Sequence, residues 1–240
     1  MKLTLERPEF QVIDDVLPPD EFKRLWRYVR AETYWFVHTG GWAKVWRLED
    51  GNPLNGALTY SNQATADVLS QNGKVQLPPH RFYPCGEAVD RLIDVIKAHL
   101  GDWVALIGRE AVDWVGFTTR PFLYPRGTAL SWHADAVGYT GSYTYYAHPY
   151  WNVQYGGELL IAERVAPMDD AEEYHLRQMD NTEENERLLA YGIGTYIQAK
   201  PNRLIIMKPG LAHCIKPVTA AAGDRARAGI TGFFVGKPKS

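Results

Sequence analysis

From about residue 103 the chain is cut into short apolar and aromatic runs by Gly and Pro: "WVGFTTRPFLY", "TALSWHADA", "YTYYAH", "GGELLIAE", "RLIIMKPG" and "GITGFFVG". Strand-length runs with turn punctuation, and no helical pattern between most of them, predict an antiparallel sandwich, barrel or jelly roll. Residues 1–102 read differently. A strand-like "FQVIDDVL" is followed by Pro18, Pro19 and Asp20, with Asp20 placed to cap a helix whose Phe22, Leu25, Trp26 and Val29 recur at helical spacing. "EAVDRLIDVIKAHLG" repeats that spacing with Val89, Leu92, Ile93, Ile96 and Leu100, and Gly101 is expected to stop it. Between the two helices, "HTGGWAKVWRLEDGNPLNG" reads as loops. The expectation is a single domain over 1–240, mainly β with flanking helices. In it, 1–102 form a support region and 103–240 the β core, interrupted by an insertion at 163–190. That insertion carries nine acidic residues against Arg164, Arg177 and Arg187 and has a helical texture.

Composition narrows the class. The 240 residues are 45% hydrophobic and 22% charged, which suits a globular chain able to bury a full core. A net charge of -2 supplies no global attraction to nucleic acid or to an anionic membrane. Two cysteines, Cys85 and Cys214, cannot build a disulfide framework or a Cys-rich zinc module. No run approaches the roughly 18 apolar residues of a membrane span, and "MKLTLERPEF" has no apolar leader, so a reducing cytoplasm is the expected setting.

The chemistry gathers at "LSWHADA", residues 130–136. On a strand, alternate side chains share a face, so Ser131, His133 and Asp135 would point one way and Leu130 and Trp132 the other. An imidazole and a carboxylate so placed are two parts of a 2-His-1-carboxylate site, which leaves three positions of an octahedral iron open. They would equally serve as a surface ion pair. The candidate third ligand is His213, in "KPGLAHCIKPV". The rival zinc motif, H-E-x-x-H on a helix, is absent, and His38, His80, His99, His148 and His175 lack ligand spacing and read as structural or exposed.

These residues carry a resemblance. "YPRGTALSWHADA" resembles the Tyr, Gly, H-x-D strand of the prolyl-hydroxylase-like Fe(II)/2-oxoglutarate-dependent dioxygenases. "YTYYAHPYWNVQYGGELLI" resembles their tyrosine strand, W-x-x-x-x-G-G turn and G-E-L strand. "PNRLIIMKPGLAHCIKPV" is similar to the segment bearing the distal His, "RARAGITGFF" to the following basic strand, and "FQVIDDVLPPDEF" to the N-terminus of bacterial members. The similarity covers most of 103–163 and 200–236, in order.

The resemblance implies a double-stranded β-helix (a jelly roll, or cupin-like barrel) that holds Fe(II) through His133, Asp135 and His213. It further implies 2-oxoglutarate as cosubstrate, O2, and ascorbate as a candidate reductant. A basic residue would hold the far carboxylate of 2-oxoglutarate. Of Arg225 and Arg227, parity favours Arg227, because Arg227, Gly229, Thr231 and Phe233 share one face of the last strand. Thr231 matches the hydroxyl that the family places four residues later. Tyr146 aligns with the family's cosubstrate-binding tyrosine and Tyr124, nine residues before His133, is a further candidate donor, against the alternative that both are core aromatics. Retention of Asp135 favours hydroxylation over halogenation. The expected reaction is hydroxylation of an unactivated C–H bond in a small substrate, such as a free amino acid or natural-product intermediate, with release of succinate and CO2.

The alternatives are a peptidyl-prolyl hydroxylase, an AlkB-type nucleic-acid demethylase and a non-catalytic cupin. The demethylase would want a second Arg where Phe233 stands. Trp35, Trp42 and Trp46 with Arg81, Arg120 and Arg126 form either the walls and clamp of a substrate pocket or, as readily, core rings and solvated cations. The insertion reads either as a lid at the barrel mouth or as a surface helix. The oligomeric state is not encoded in any visible pattern.

Overall fold

The computed structural model describes residues 1–37, 50–71, 80–135, 138–163, 186, 188–190 and 192–238. Trp42, Trp46, His38, His175 and nearly all of the 163–190 insertion, with the lid expectation, lie outside them.

The first 102 residues give β1 (Lys2–Glu6), β2 (Phe10–Asp14), α1 (Pro19–Ala31), β3 (Trp35–Phe36), β4 (Leu54–Asn55), β5 (Leu58–Tyr60), α2 (Gln63–Gln71), β6 (His80–Phe82) and α3 (Val89–Ala98). α4 (Val104–Ile107) leads into β7 (Trp114–Tyr124), β8 (Leu130–His133), β9 (Tyr139–Tyr146), β10 (Leu159–Ala162), β11 (Gly194–Ile197), β12 (Leu204–Met207), β13 (His213–Ile215) and β14 (Arg227–Gly236). Among the described residues the major sheet runs β1-β2-β12-β9-β14-β7-β4-β3, with β5 and β6 added beside β7. A minor sheet runs β11-β10-β13-β8. Among the described residues the two sheets are hydrogen-bonded separately and do not close into a barrel.

Alternation along the strands sorts two cores. Outward residues of the major sheet (Tyr143, Tyr145, Ile206, Ile230, Phe234) meet Leu25 and Val29 of α1 and Leu92, Ile93 and Ile96 of α3. Inward residues of the same strands (Phe122, Tyr124, Tyr146, Ile205, Met207) meet Leu130, Leu159, Ile161 and Ile215 of the minor sheet. The candidate site opens within this second layer.

Local chemistry departs from expectation in three places. α1 starts at Pro19, with Pro18 in the cap position and no side-chain cap bond, so Asp20 serves the first turn instead. Gly101 does not end the third helix, which stops at Ala98 and continues as a 3-10 turn over Leu100–Trp103. α2 had no strong apolar signal, and Asn62 caps it, its Oδ1 accepting the Thr65 N–H at 2.9 Å. One close approach demands glycine: a Cβ at Gly232 would sit 1.9 Å from the Thr118 carbonyl oxygen of the neighbouring strand and 2.4 Å from the Tyr143 ring. Gly232→Ala is therefore expected to cost more than about 3 kcal/mol, the top of the usual overpacking range. Urea unfolding checks this, and a loss under 1 kcal/mol (~) would contradict it.

Two buried groups set the response to acid. Burial opposes ionisation of Asp14, but bonds from Arg203 Nε (2.7 Å), Lys200 Nζ (2.8 Å) and Thr4 Oγ1 (2.9 Å) outweigh it and hold the carboxyl down at about 2. Burial likewise pushes His148 down to about 4, assisted by the nearby Arg227 cation and resisted by its bonds to Ala199 and Ala228. Its Nε2 lies 2.7 Å from the Ala199 oxygen, and its Nδ1 accepts the Ala228 N–H at 3.2 Å, an arrangement that suits the neutral ring. Both folded pKa values lie below those of the unfolded chain. The unfolded state thus binds more protons, and stability falls as pH falls. His148 contributes fully above about 6.5 and loses roughly 3 kcal/mol by about pH 4, whereas Asp14 loses roughly 2 kcal/mol between about pH 4 and 2. Urea midpoints measured against pH should show both windows, and His148→Gln should flatten the upper one alone.

Candidate metal centre

His133 and His213 are direct cross-strand partners on β8 and β13, with an irregularity in the ladder beyond His213. Opposed residues of an antiparallel pair share a face, so register alone brings the rings together. Their centroids are 4.3 Å apart. β8 ends at His133, so Asp135 follows the strand instead of continuing it, yet its carboxylate still turns inward. Asp135 Oδ1 lies 3.9 Å from His213 Nε2. One ligand atom from each of His133, Asp135 and His213 falls within 4.8 Å of the others. Backbone carbonyls fix the rings: His133 Nδ1 donates to Ser131 at 2.8 Å, and His213 Nδ1 to Leu211 at 2.8 Å. Anchoring Nδ1 this way presents Nε2 of each ring to the centre.

A residue that the sequence did not flag stands behind this strand. Asp50 is 1% exposed; its Oδ1 accepts the Ser131 hydroxyl at 2.7 Å and its carbonyl accepts the Ala129 N–H at 2.9 Å. It pins β8 to a segment some eighty positions earlier in the chain.

The basic residue comes from β14. Arg227 is 1% exposed and faces the inter-sheet layer. Its guanidinium carbon lies 4.9 Å from the Tyr124 ring centroid and 4.7 Å from that of Tyr146. The side chain runs along its strand: a Cβ at Gly229 would lie 3.7 Å from Nη1. The G-G turn closes on it from the other side, since a Cβ at Gly157 would lie 2.7 Å from Arg227 Cδ. Nε and Nη2 of Arg227 and the Tyr146 hydroxyl are buried without a hydrogen-bond partner. Burial pushes the Tyr124 phenol up, and the Arg227 cation pulls it partly back. Farther along, the Thr231 and Thr144 hydroxyl oxygens are 3.3 Å apart on neighbouring strands. Arg225 is exposed and lies over the Tyr155 ring at 5.8 Å, away from this group.

Orphaned buried donors are costly, and three in one place, beside a cation, make a cradle for an anion. A His-Asp-His donor set of mixed nitrogen and oxygen suits a divalent transition metal such as Fe(II). The residues present therefore fit both groups.

No protein-family model and no curated protein sequence matches the chain. Solved structures do match. A prolyl-4-hydroxylase from Pseudomonas putida aligns with a TM-score of 0.58 at 16% identity, covering 95% of this chain and 92% of that one. A prolyl hydroxylase from Trichoplax adhaerens, in complex with a hypoxia-inducible-factor oxygen degradation domain peptide, aligns at 0.59 and 15% identity, covering 95% and 84%. A 2OG-Fe(II) oxygenase family oxidoreductase from Burkholderia pseudomallei aligns at 0.51 and 11% identity, covering 95% and 85%. Over nearly its whole length, this chain has the double-stranded β-helix fold of those oxygenases.

Proposed function

We propose that the chain is a single-domain Fe(II)- and 2-oxoglutarate-dependent dioxygenase that hydroxylates an unactivated C–H bond of a small substrate. What carries the reading is one juxtaposition: a His-Asp-His cluster and an unsatisfied, buried Arg–Tyr cradle face the same inter-sheet layer. His133 Nε2, Asp135 and His213 Nε2 would hold the metal. Arg227 and Tyr146 would hold the far carboxylate of 2-oxoglutarate, with Tyr124 closing the cradle and Thr231 beside it. Iron with 2-oxoglutarate and O2 supplies the oxidation, the cosubstrate leaving as succinate and CO2 while one oxygen atom enters the substrate.

The protein's own work is positional. The carbonyls of Ser131 and Leu211 engage Nδ1 of both imidazoles and leave Nε2 facing the centre, and Asp50 holds the strand that carries His133. The two phenol rings, 4.9 and 4.7 Å from the guanidinium carbon, pack against it before any ligand arrives, so little ordering is left for binding to accomplish. Phe122, Leu159, Ile161 and Ile215 keep the layer apolar, where charge pairing is stronger than in water.

The same fold serves the two prolyl hydroxylases, so a peptidyl-prolyl substrate is the competing reading. A nucleic-acid substrate has less support, because the position wanted for a second arginine is Phe233, stacked on Tyr139 at 4.6 Å. No described helix is long and apolar enough to cross a membrane, and Cys85 and Cys214 are free thiols, which suits the cytoplasm. The test is anaerobic loading with Fe(II) and 2-oxoglutarate, exposure to air, and quantification of succinate. Succinate should form and should depend on both iron and O2. Its absence under all substrate conditions would overturn the reading.

A further inference from the structure

The three metal ligands are not mounted alike. His213 stands on β13, an interior strand of the minor sheet with a ladder to β10 on one side and to β8 on the other. β8 is the edge of that sheet, paired with β13 alone among the described residues. Its ladder shifts register between the His213–His133 and Ile215–Leu130 pairs. Yet β8 brings two ligands, since His133 ends it and Asp135 follows. A four-residue edge strand with one irregular ladder holds its residues less firmly than an interior strand does.

On the open side of β8 stands Asp50. Just before the strand, the Thr128 carbonyl accepts the Val218 N–H at 3.0 Å, toward the segment that follows β13. The next N–H, that of Ala129, therefore points the other way, and the Asp50 carbonyl accepts it at 2.9 Å. Two residues on, the Ser131 hydroxyl donates to Asp50 Oδ1 at 2.7 Å. The approach is close: Gly51 has a φ of +72°, and a Cβ there would lie 2.8 Å from the Gly127 carbonyl oxygen. Asp50 thus grips the edge strand with a main-chain and a side-chain oxygen at once, on the side where no ladder does so.

One residue passes this grip to the metal ligand. Ser131 meets Asp50 through its hydroxyl and His133 through its carbonyl, which accepts from Nδ1 at 2.8 Å. Fixing the hydroxyl fixes the Ser131 side chain, its peptide and the tilt of the His133 ring in turn. His213 makes the matching bond to the Leu211 carbonyl, also at 2.8 Å, but a leucine side chain offers no such anchor. The difference follows the ladders. The histidine strand with two neighbours has no outside carboxylate on its anchoring residue, and the strand with one neighbour has Asp50.

We propose that Asp50 is a positioning residue of the metal centre, acting through Ser131 to hold His133 at the angle a divalent ion needs. This rests on the dioxygenase reading above. It adds that a residue of the N-terminal support region sets metal affinity in the β core. Asp50 does not join the ligand cluster of His133, Asp135 and His213; it acts on one member of it.

The test is a double-mutant cycle read in metal affinity, on the full chain without 2-oxoglutarate and without turnover. Fe(II) is titrated anaerobically against a competing chelator, and Co(II) is titrated as a second probe whose visible absorption reports the geometry around it. Asp50→Ala and Ser131→Ala should each weaken both ions about 10- to 100-fold and shift the Co(II) band. The double variant should bind within about threefold of the weaker single, because the two residues form one route. Asp50→Asn keeps an acceptor oxygen for the Ser131 hydroxyl and should recover part of the loss. Urea unfolding of the metal-free proteins shows which variants are folded. A merely structural Asp50 would lower the urea midpoint and leave the metal affinity and the Co(II) band of the folded protein where they were. Three results overturn the proposal: either single variant binds within about twofold of the wild type, the losses add in the double variant, or Asp50→Asn is as weak as Asp50→Ala. Should Asp50→Ala not fold, Ser131→Ala decides alone, and an unchanged affinity there overturns the proposal. If the wild type binds neither Fe(II) nor Co(II), the metal-centre reading fails and the role of Asp50 with it. If it binds them and any of the three results is found, only the role of Asp50 falls.

Discussion

His213→Ala should lose Fe(II) binding and 2-oxoglutarate turnover together. Removing a partner that only orients a metal ligand typically weakens the metal 10- to 100-fold, so deleting a ligand should cost more than about a hundredfold. The fold should survive. His213 sits on a three-residue strand whose ladder bonds to β10 and β8 are made by backbone, and its ring bonds to the Leu211 carbonyl. Truncation there gives up that bond and some packing, of order 1–3 kcal/mol. Circular dichroism and urea unfolding establish that the variant is folded, Fe(II) titration gives the affinity, and succinate gives the turnover. A folded His213→Ala protein that turns over at the wild-type rate would remove the metal-centre assignment and everything built on it.

Arg227→Ala should separate the two halves of the site. Charge-assisted hydrogen bonds contribute roughly 1.5–3 kcal/mol each, and about 1.4 kcal/mol is a factor of ten. A buried guanidinium that serves the far carboxylate should therefore be worth at least 10- to 100-fold in 2-oxoglutarate affinity (~). Iron affinity should hardly change, because Arg227 lies on β14 of the major sheet and both histidines on the minor one. Arg227→Lys should recover part of the affinity, keeping the charge without the fork. Thr231→Val should cost less, about one neutral hydrogen bond of 0.5–1.5 kcal/mol, and Arg225→Ala should do little. Titration of the metal-to-ligand absorbance band in iron-loaded variants measures all four. A large loss in Arg225→Ala with none in Arg227→Ala would reverse the assignment.

What could be read beforehand follows the range of the interaction that encodes it. Strand alternation is local, and it separates Arg227, buried against two tyrosines, from Arg225, exposed two residues earlier. The β-rich core and the helices over Pro19–Ala31 and Val89–Ala98 are written in periodicities of two and 3.6. Asp50 left no such trace, because its role depends on Ser131 lying opposite it across the fold. Arg120 was one of three equivalent arginines until register placed it beside Thr231. Asp135 shows the limit of a local rule: it reaches the centre from beyond the strand that should have carried it. α2 was missed because its buried face is only Thr65, Val68 and Leu69, too few apolar positions to stand out from a loop.

The uneven covering of the two sheets has a thermodynamic consequence. The major sheet lies between an apolar layer on each face, one shared with α1 and α3 and one with the minor sheet. Along the minor sheet, Tyr196 of β11 and the adjoining Ile193 stay more than half exposed. Backbone amides of β9, β12 and β14 should therefore exchange with solvent only when the whole molecule unfolds, while those of β8, β10, β11 and β13 belong to a smaller unit that can open alone. Both histidines lie in that weaker unit and Arg227 in the stronger one. A divalent ion bound across β8 and β13 would then stabilise the unit by RT ln(1 + [L]/Kd), about 2.7 kcal/mol at a hundred times Kd. Metal loading would thus be felt as local slowing of exchange in four strands, and the cradle across the layer would stand formed whether or not that half is closed.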